Sequence, residues 1–433
     1  MTTAPWTALS VTLAVQTLAA VALTTPSVMA PAVGPQIGVG AQHVGWLISL
    51  AYLSAMVTGL GGGALSQRHG PVRISQVALT ASALGLALMA AGHPVALLAG
   101  AVVLGVGYGL PNPTAAEILS RHAPGERRGL FFSIKQTGVP LGVAFTGMVV
   151  PALMGASSWT RALLVLAGGL VAAMLLIGRA RARLEADARA STAAPASAAA
   201  PASVSTSTST SAPASASPPG GAFGLRQRLL EPLREVLAFA PTRRLAIASL
   251  VFAFTQVSFL TFLVSLLKLE HGYSLSLAAS LLAASQAASV AGRIGWGHVA
   301  DRWIDPARLL GGLGVAMGVA VALVGLAPAD ASPATMLALT LACAVTAVAW
   351  NGVFFADLVR LVPPERVARS TGATQFLTFM GGVGGSAAFA ALVSLTGSYS
   401  AVFTALGVLP ALTGLVLLAG ARGPGPAQRT GTG

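Results

Sequence analysis

The feature that most limits what this chain can fold into is a series of twelve apolar runs, each about as long as a bilayer is thick. A helix rises about 1.5 Å per residue, so the ~30 Å hydrocarbon core takes about 20 residues. We number the runs as spans 1 to 12, which cover residues 7–29, 43–65, 74–91, 95–118, 130–153, 161–178, 243–267, 275–299, 308–327, 333–359, 372–396 and 399–420. Because backbone groups in lipid must be bonded within the protein, these runs predict an all-α membrane protein with twelve transmembrane helices.

Composition excludes the soluble alternatives. Only 9% of the residues are charged, against about 25% in soluble domains, and the mean hydropathy is +0.77. The single cysteine, Cys343, excludes a disulfide scaffold and a cysteine-based zinc cluster. There is no nucleotide-binding loop and no nucleophile with its base, and the histidines lack metal spacing. We therefore expect no enzymatic activity, no cofactor and no metal site.

The net charge of +13 reports topology rather than nucleic-acid binding. Twenty-one of the 25 Lys and Arg residues follow even-numbered spans or lie in the C-terminal tail. Arg161 and Lys268 lie on the other side, and Lys135 and Arg293 lie within spans. The positive-inside rule predicts a multi-pass protein with both termini in the cytoplasm. The excess of Arg over Lys, typical of GC-rich genomes, favours a bacterial inner membrane.

The chain divides into two halves of six spans. Residues 191–221 are an Ala/Ser/Thr/Pro tract that cannot bury a core. We therefore predict an N-terminal six-helix bundle at 1–184, a largely disordered cytoplasmic linker at 185–241, a C-terminal six-helix bundle at 242–421 and a cytoplasmic tail at 422–433.

The two halves carry traces of a duplication. At a lag of 239 residues, six identities fall within a 22-residue window, and several of them are charged. The pairs are Arg121 and Arg360, Pro124 and Pro363, Glu126 and Glu365, Arg127 and Arg366, Gln136 and Gln375, and Gly142 and Gly381. Repeated six-span units are found in many secondary carriers, whose substrate site lies near the membrane midplane between the halves. The sequence thus predicts two pseudo-symmetric bundles.

Two loops resemble a known signature. The loop after span 2 reads GALSQRHGPVR from Gly63, and the loop after span 8 reads GRIGWGHVADR from Gly292. Both resemble the G-x-L-A-D-R-x-G-R motif of the major facilitator superfamily, which follows the second helix of each half. A companion pattern from span 4 into span 5 is also similar: Pro113, Glu117, Arg128, Gly129, Gln136 and Gly138. The resemblance implies the fold of that superfamily and secondary transport.

These loops suggest a gate. Glu117 and Asp357, near the ends of spans 4 and 10, are natural partners for Arg302 and Arg68, and such pairs would latch one side shut in one state. Gln67 replaces the Asp of the motif, which weakens the latch of the first half. Alternatively, the charges only set topology and solvate the loops. The predicted gating residues are Gly63, Gln67, Arg68, Glu117, Gly297, Asp301, Arg302 and Asp357, with the glycines allowing close helix approach.

The substrate prediction rests on Arg293. A charge within the hydrocarbon costs about 2.5–3.5 kcal/mol on insertion scales, and none of the twelve acidic residues lies in the middle of a span. Arg293 lies eight residues before Asp301, about 12 Å inside span 8, and shares a helix face with Gln286. The stretch resembles the arginine-bearing eighth helix of monocarboxylate and oxalate/formate carriers, which implies an organic anion. A structural pairing with Glu117 or a helix C-terminus stays open.

Further residues are expected at the same site because polar groups within spans need partners. Lys135 either faces the cavity or extends to the headgroups, since it lies only about 7.5 Å inside span 5. The remaining predicted lining residues are Tyr108, Asn112, Trp350, Asn351 and Gln375. Small hydroxyls in membrane helices more often pack or bond across helices than bind a ligand. The weaker candidates are Gln16, Thr17, Thr24, Thr255, Gln256, Ser258, Thr374 and Thr378.

Together these features predict a monomeric symporter or antiporter that moves a small organic anion by alternating access, coupled to a proton or counter-solute gradient. Two alternatives stay open. One is an exporter of neutral or lipophilic compounds with the same fold, and the other is a membrane sensor that does not transport.

Overall fold

The computed structural model describes residues 4–123, 128–193, 225–363 and 366–420, and this part of the chain is helical without β-strands. The α-helices are α1 Ala4–Val33, α2 Val44–His69, α3 Pro71–Met89, α4 Pro94–Gly109, α5 Pro111–His122, α6 Arg128–Gln136, α7 Gly138–Ala156, α8 Trp159–Ala193, α9 Leu225–Ala238, α10 Ala240–Leu269, α11 Leu275–Arg302, α12 Pro306–Leu326, α13 Pro333–Cys343, α14 Asn351–Leu361, α15 Val367–Thr396, α16 Tyr399–Leu406 and α17 Val408–Gly420. Short 3₁₀ turns cover Gly34–Ile37 and Ala41–His43, and a π-helical turn covers Ala344–Val348.

The helices form twelve segments that are long and apolar enough to cross a membrane, which confirms the predicted spans. Spans 1, 2, 3, 6, 7, 8, 9 and 11 are formed by α1, α2, α3, α8, α10, α11, α12 and α15. Spans 4, 5, 10 and 12 are each interrupted, and are formed by α4 with α5, α6 with α7, α13 with α14, and α16 with α17. The break in span 4 falls at Leu110, before Pro111 and near Pro113, because proline lacks the N–H that continues a helix.

The two bundles meet through helices that carry small residues. Helix α2 packs against α15, α7 packs against α11, and α1 packs against α10. At Gly147 an added Cβ would lie 2.5 Å from the Ala279 carbonyl oxygen, and at Gly45 it would lie 2.3 Å from the Ser386 carbonyl oxygen. Backbones approach this closely only where the side chain is absent. Ser49 Oγ adds a hydrogen bond across the halves to the Val383 carbonyl oxygen at 2.7 Å.

The halves meet unequally at the two membrane faces. We call the face with the loops after even-numbered spans the basic end, and the other face the opposite end. The contacts at Gly45 and Gly147 lie toward the opposite end, and we call this α2–α15 and α7–α11 contact the seal. Among the described residues, no hydrogen bond or ion pair joins the halves at the basic end. In the part of the chain that the structure describes, the seal joins the halves toward the opposite end, and the packing of α1 against α10 adds to it.

The segment between the bundles is partly helical. Helix α8 continues to Ala193, past the predicted boundary at 184. Helix α9 packs against α15, and Thr242 Oγ1 donates a hydrogen bond to the Val236 carbonyl oxygen at 2.7 Å. The tract at 194–224 lies outside the described residues. The disorder of the linker and the domain boundaries therefore remain predictions.

Candidate substrate-binding site

A cavity of about 120 Å³ lies between the two bundles, and both halves contribute to its wall. Its polar lining residues are Gln16, Tyr52, Tyr108, Asn112 and Gln136 from the first half, and Gln256, Arg293, Asn351, Gln375 and Thr378 from the second. Five of the predicted residues are therefore brought together here: Tyr108, Asn112, Arg293, Asn351 and Gln375. No acidic side chain lines this cavity among the described residues, so its charge is positive.

Arg293 is half-buried, and its guanidinium reaches the cavity from α11. Its Nη2 donates to the Val348 carbonyl oxygen at 3.1 Å, and its Nε is buried without a partner among the described residues. Val348 ends the π-helical turn of span 10, where the regular hydrogen-bond ladder is interrupted. One turn away, Trp296 Nε1 donates to the Val345 carbonyl oxygen at 2.6 Å. Arg293 therefore supports span 10 with one donor and pairs with no carboxylate, including Glu117, in the described structure.

Lys135 is buried, with 2% of its surface exposed, and does not extend to the headgroups. Its Nζ donates to Gln16 Oε1 at 2.7 Å and to Asn112 Oδ1 at 2.5 Å. Lys135 is not among the cavity-lining residues, whereas both of its amide partners are. It therefore lies one layer behind the wall contributed by the first half, and its predicted place in the cavity lining is corrected.

Aromatic rings from the two halves also line the cavity. The Tyr52 and Tyr108 ring centroids are 5.8 Å apart at 65°, and Tyr52 lies 6.0 Å from Phe379 of the other half. Tyr52 is a lining residue that the sequence analysis does not identify, although a phenol within an apolar helix is a detectable signal. Gln136 lines the cavity although the sequence indicates it only as a motif residue, whereas its neighbour Lys135 lies behind the wall.

Trp350 and Gln286 do not line the cavity, and these two predictions are corrected. Trp350 is 1% exposed, packs edge-on against Phe252 with ring centroids 5.6 Å apart, and donates through Nε1 to Gln256 Oε1 at 2.9 Å. It therefore positions a lining amide from behind. Gln286 is 1% exposed and donates to Ser285 Oγ at 3.0 Å. It lies two turns from Arg293 toward the seal, where α11 is covered by α7.

The predicted latch at the basic end is not formed in this structure. Glu117 instead accepts a hydrogen bond from Ser66 and pairs with Arg121 on its own helix. Asp357 is buried and pairs with no arginine of the first half. The remaining charged and amide gating residues are exposed and make no hydrogen bond to other described residues: Gln67, Arg68, Asp301 and Arg302. Because the seal lies toward the opposite end, these four side chains meet no described residue of the other half that could pair with them.

The gating glycines also differ from the prediction. A Cβ added at Gly63 or Gly297 would meet no atom within 4 Å. The close helix approach expected there occurs instead at Gly45 and Gly147 in the seal. Close packing between the halves is thus found at the end away from the motif loops.

Two six-helix bundles that enclose a polar cavity at their interface and are sealed at one end define a carrier of the alternating-access class. The sequence matches the family profile of the Major Facilitator Superfamily over residues 12–386. This chain belongs to the major facilitator superfamily, as the loop motifs suggested. The family and fold are those of a membrane transporter, not of an enzyme. No curated protein matched the chain.

Solved transporter structures share this fold. A bacterial homologue of the human lysosomal transporter Spinster, inward-facing and occupied, is 14% identical with a TM-score of 0.69 and covers 97% of this chain and 96% of its own. Its inward-facing, unoccupied structure is 16% identical with a TM-score of 0.67 and the same coverage. A glutamate-to-glutamine mutant of the peptide transporter POT in complex with sulfate is 17% identical, with a TM-score of 0.68 over 97% of this chain and 94% of that chain.

Proposed function

We propose that this chain is a secondary active transporter that moves a small organic anion, a carboxylate, across the bacterial inner membrane. The observation that carries the proposal is the guanidinium of Arg293, which reaches the central cavity without a carboxylate partner among the described residues. Transport is coupled to a proton or a counter-solute. The protein works as a monomer, because each chain holds both halves of one cavity.

The donors of Arg293 suit a carboxylate. A guanidinium has five N–H donors in a planar fork, and the Val348 carbonyl oxygen takes one of them. A partly buried cation without a counter-ion is costly, and a planar anion that accepts two parallel hydrogen bonds lowers that cost. This chemistry favours the resemblance to carboxylate carriers over the alternative in which Arg293 serves packing alone.

The rest of the cavity supports a small polar substrate. Amide groups of Gln16, Asn112, Asn351 and Gln375 can donate hydrogen bonds to an anion. The volume of about 120 Å³ is smaller than the roughly 300–1,000 Å³ of sites for drug-sized ligands. Both features argue against an exporter of lipophilic compounds.

The distribution of charge supports an orientation. Under the positive-inside rule the basic end faces the cytoplasm, and both termini lie there. A carrier sealed at the opposite end and unlatched at the basic end is then inward-facing. The latch residues Arg68, Glu117, Arg302 and Asp357 pair across the halves only in the outward-facing state.

Counterflow in proteoliposomes tests the substrate class. Wild-type protein should exchange at least one of four labelled carboxylates: acetate, pyruvate, oxalate and succinate. Arg293→Ala should lower kcat/KM thirtyfold or more, because losing the charged contact costs about 2–5 kcal/mol of binding free energy. Arg293→Lys should restore part of the loss. The matched control is Arg161→Ala, because Arg161 is exposed at the opposite end.

Three results would contradict the proposal. Unchanged carboxylate exchange by a folded Arg293→Ala protein would show that Arg293 does not bind the substrate. Resistance to lipophilic drugs on expression, with every carboxylate ignored, would favour the exporter. Carboxylate binding without any counterflow would favour a sensor.

A further inference from the structure

Lys135 is a buried amine for which the anion site has no direct use. It is 2% exposed, and its only hydrogen-bond partners among the described residues are the side-chain oxygens of Gln16 and Asn112. Both partners are neutral. An ammonium has three N–H donors, so the charge is neither neutralised nor fully bonded.

The elements around Lys135 provide no counter-charge. Helix α6 packs against α1, α5 and α7, and neither α1 nor α7 contains an ionisable side chain. Glu117 of α5 is bound to Ser66 and Arg121, and it lies five residues beyond Asn112, about 7.5 Å along the helix. The ionisable groups on these elements and around the cavity are Glu117, Arg121 and His122 of α5, Arg128 of α6, and Tyr52, Tyr108 and Arg293.

The charged form of Lys135 is therefore unfavourable while the cavity is empty. Burying an unpaired cation costs several kcal/mol, and the amine avoids this cost by releasing its proton. An anion in the cavity lies one residue layer away and stabilises the protonated form. Proton binding at Lys135 and anion binding thus favour each other, and such coupling is reciprocal.

The amide partners transmit this coupling to the cavity. Gln16 and Asn112 turn their oxygens toward Nζ, so their NH₂ groups point away from it, and both residues line the cavity. An ammonium can only donate, so it holds the amides in this orientation. A neutral amine can also accept and releases them. Protonated Lys135 thus presents amide donors to an anion.

We propose that Lys135 Nζ is the proton-binding site of a proton–anion symport, an inference that rests on the anion transport proposed above. With the cavity open to one side, a proton from water binds the neutral amine and an anion enters the cavity. After the halves rock, the anion and the proton leave to the other side. One proton and one monovalent anion cross together, with no net charge and no change in oxidation state.

Two assays on the same proteoliposomes separate coupling from binding. The first is exchange of the same four carboxylates at equal pH, and the second is their accumulation against a gradient driven by a pH difference. The first variant is Lys135→Arg, which keeps the positive charge but does not release its proton. The second is Lys135→Met, which removes the charge. The matched control is Lys268→Arg, because Lys268 is the only other lysine in the sequence.

Wild type and Lys268→Arg should exchange and also accumulate a monovalent carboxylate, up to about tenfold per unit of pH difference. Lys135→Arg should exchange without accumulating. Detergent-solubilised wild type should take up about one proton for each monovalent anion bound, and Lys135→Met should take up none.

Accumulation by Lys135→Arg at the wild-type level would overturn the inference, as would undiminished proton uptake by a folded Lys135→Met. If Asp357→Asn does not accumulate the anion while Lys135→Arg accumulates it at the wild-type level, the proton-binding site is Asp357 and not Lys135. These failures leave wild-type exchange in place. Failure of the proposed function is different, because wild type itself then exchanges none of the four carboxylates and both proposals fall.

Discussion

Replacing Gly147 by alanine should open the seal. In the structure an added Cβ at this position would lie 2.5 Å from the Ala279 carbonyl oxygen and 3.2 Å from the Ala283 Cβ. The first distance is shorter than any contact that real Cβ atoms make, and the obstacle is backbone, so α7 and α11 must move apart. The clash exists only while the halves touch at the opposite end.

The size of the effect follows from the cost of overpacking. Inserting one methyl group into a closely packed contact costs about 1–3 kcal/mol. Because the unsealed state does not bear this cost, the equilibrium shifts by about 5- to 150-fold. A carrier that rests about ten to one in the sealed state would then spend from about a third to about nine-tenths of its time unsealed.

Spin-label distances measure this shift directly. Labels on cysteines at Gln36 and Asp330, which are exposed at the opposite end of the two halves, should report a new population at longer distance. The only native cysteine, Cys343, is buried and is replaced by alanine. The matched control is Gly155→Ala on the same helix, where an added Cβ meets no atom within 4 Å.

Both variants gain the same helix propensity, so that effect cancels. A distance distribution for Gly147→Ala identical to that of Gly155→Ala would refute the reasoning. It would show that the helices absorb the methyl group locally and that the seal does not control the state of the carrier.

Two further predictions concern side chains that hold the second bundle. Glu270 accepts hydrogen bonds from the Tyr399 and Ser400 amides at the start of α16, so Glu270→Gln should cost about 1–2 kcal/mol and lower the thermal midpoint. An unchanged thermal midpoint would show that these hydrogen bonds do not stabilise the start of α16. Trp350→Phe loses the bond to Gln256 and should raise KM for the carboxylate about fivefold with kcat held. A kcat effect alone would contradict this positioning role.

The sequence predicted the membrane fold because the relevant signal is local. Run length, hydropathy and the side on which basic residues fall are properties of short segments. Each span also forms its backbone hydrogen bonds within its own helix. The resemblance of the loops at Gly63 and Gly292 to a family signature was likewise readable without coordinates. Arg293 was also identifiable, because a charge so far inside an apolar run needs a partner.

The sequence predicted the lining of the cavity only in part. Helical spacing places Gln286 and Arg293 on one face, but it does not reveal that α7 covers that face near the seal. Lys135 is close enough to a helix end to reach the headgroups, and only the positions of Gln16 and Asn112 show that it turns inward.

The sequence by itself determined that this chain crosses the membrane twelve times, that it is built from two related halves, and that it keeps a cation deep in the eighth span. Only the tertiary structure decided which polar side chains meet at the cavity, that Trp350 lies behind its wall, and which glycines bring the halves together. The physical reason is that insertion into lipid depends on the composition of each span alone. A binding site depends instead on the rotation of each helix against its neighbours, and that rotation is set by packing between residues far apart in the chain.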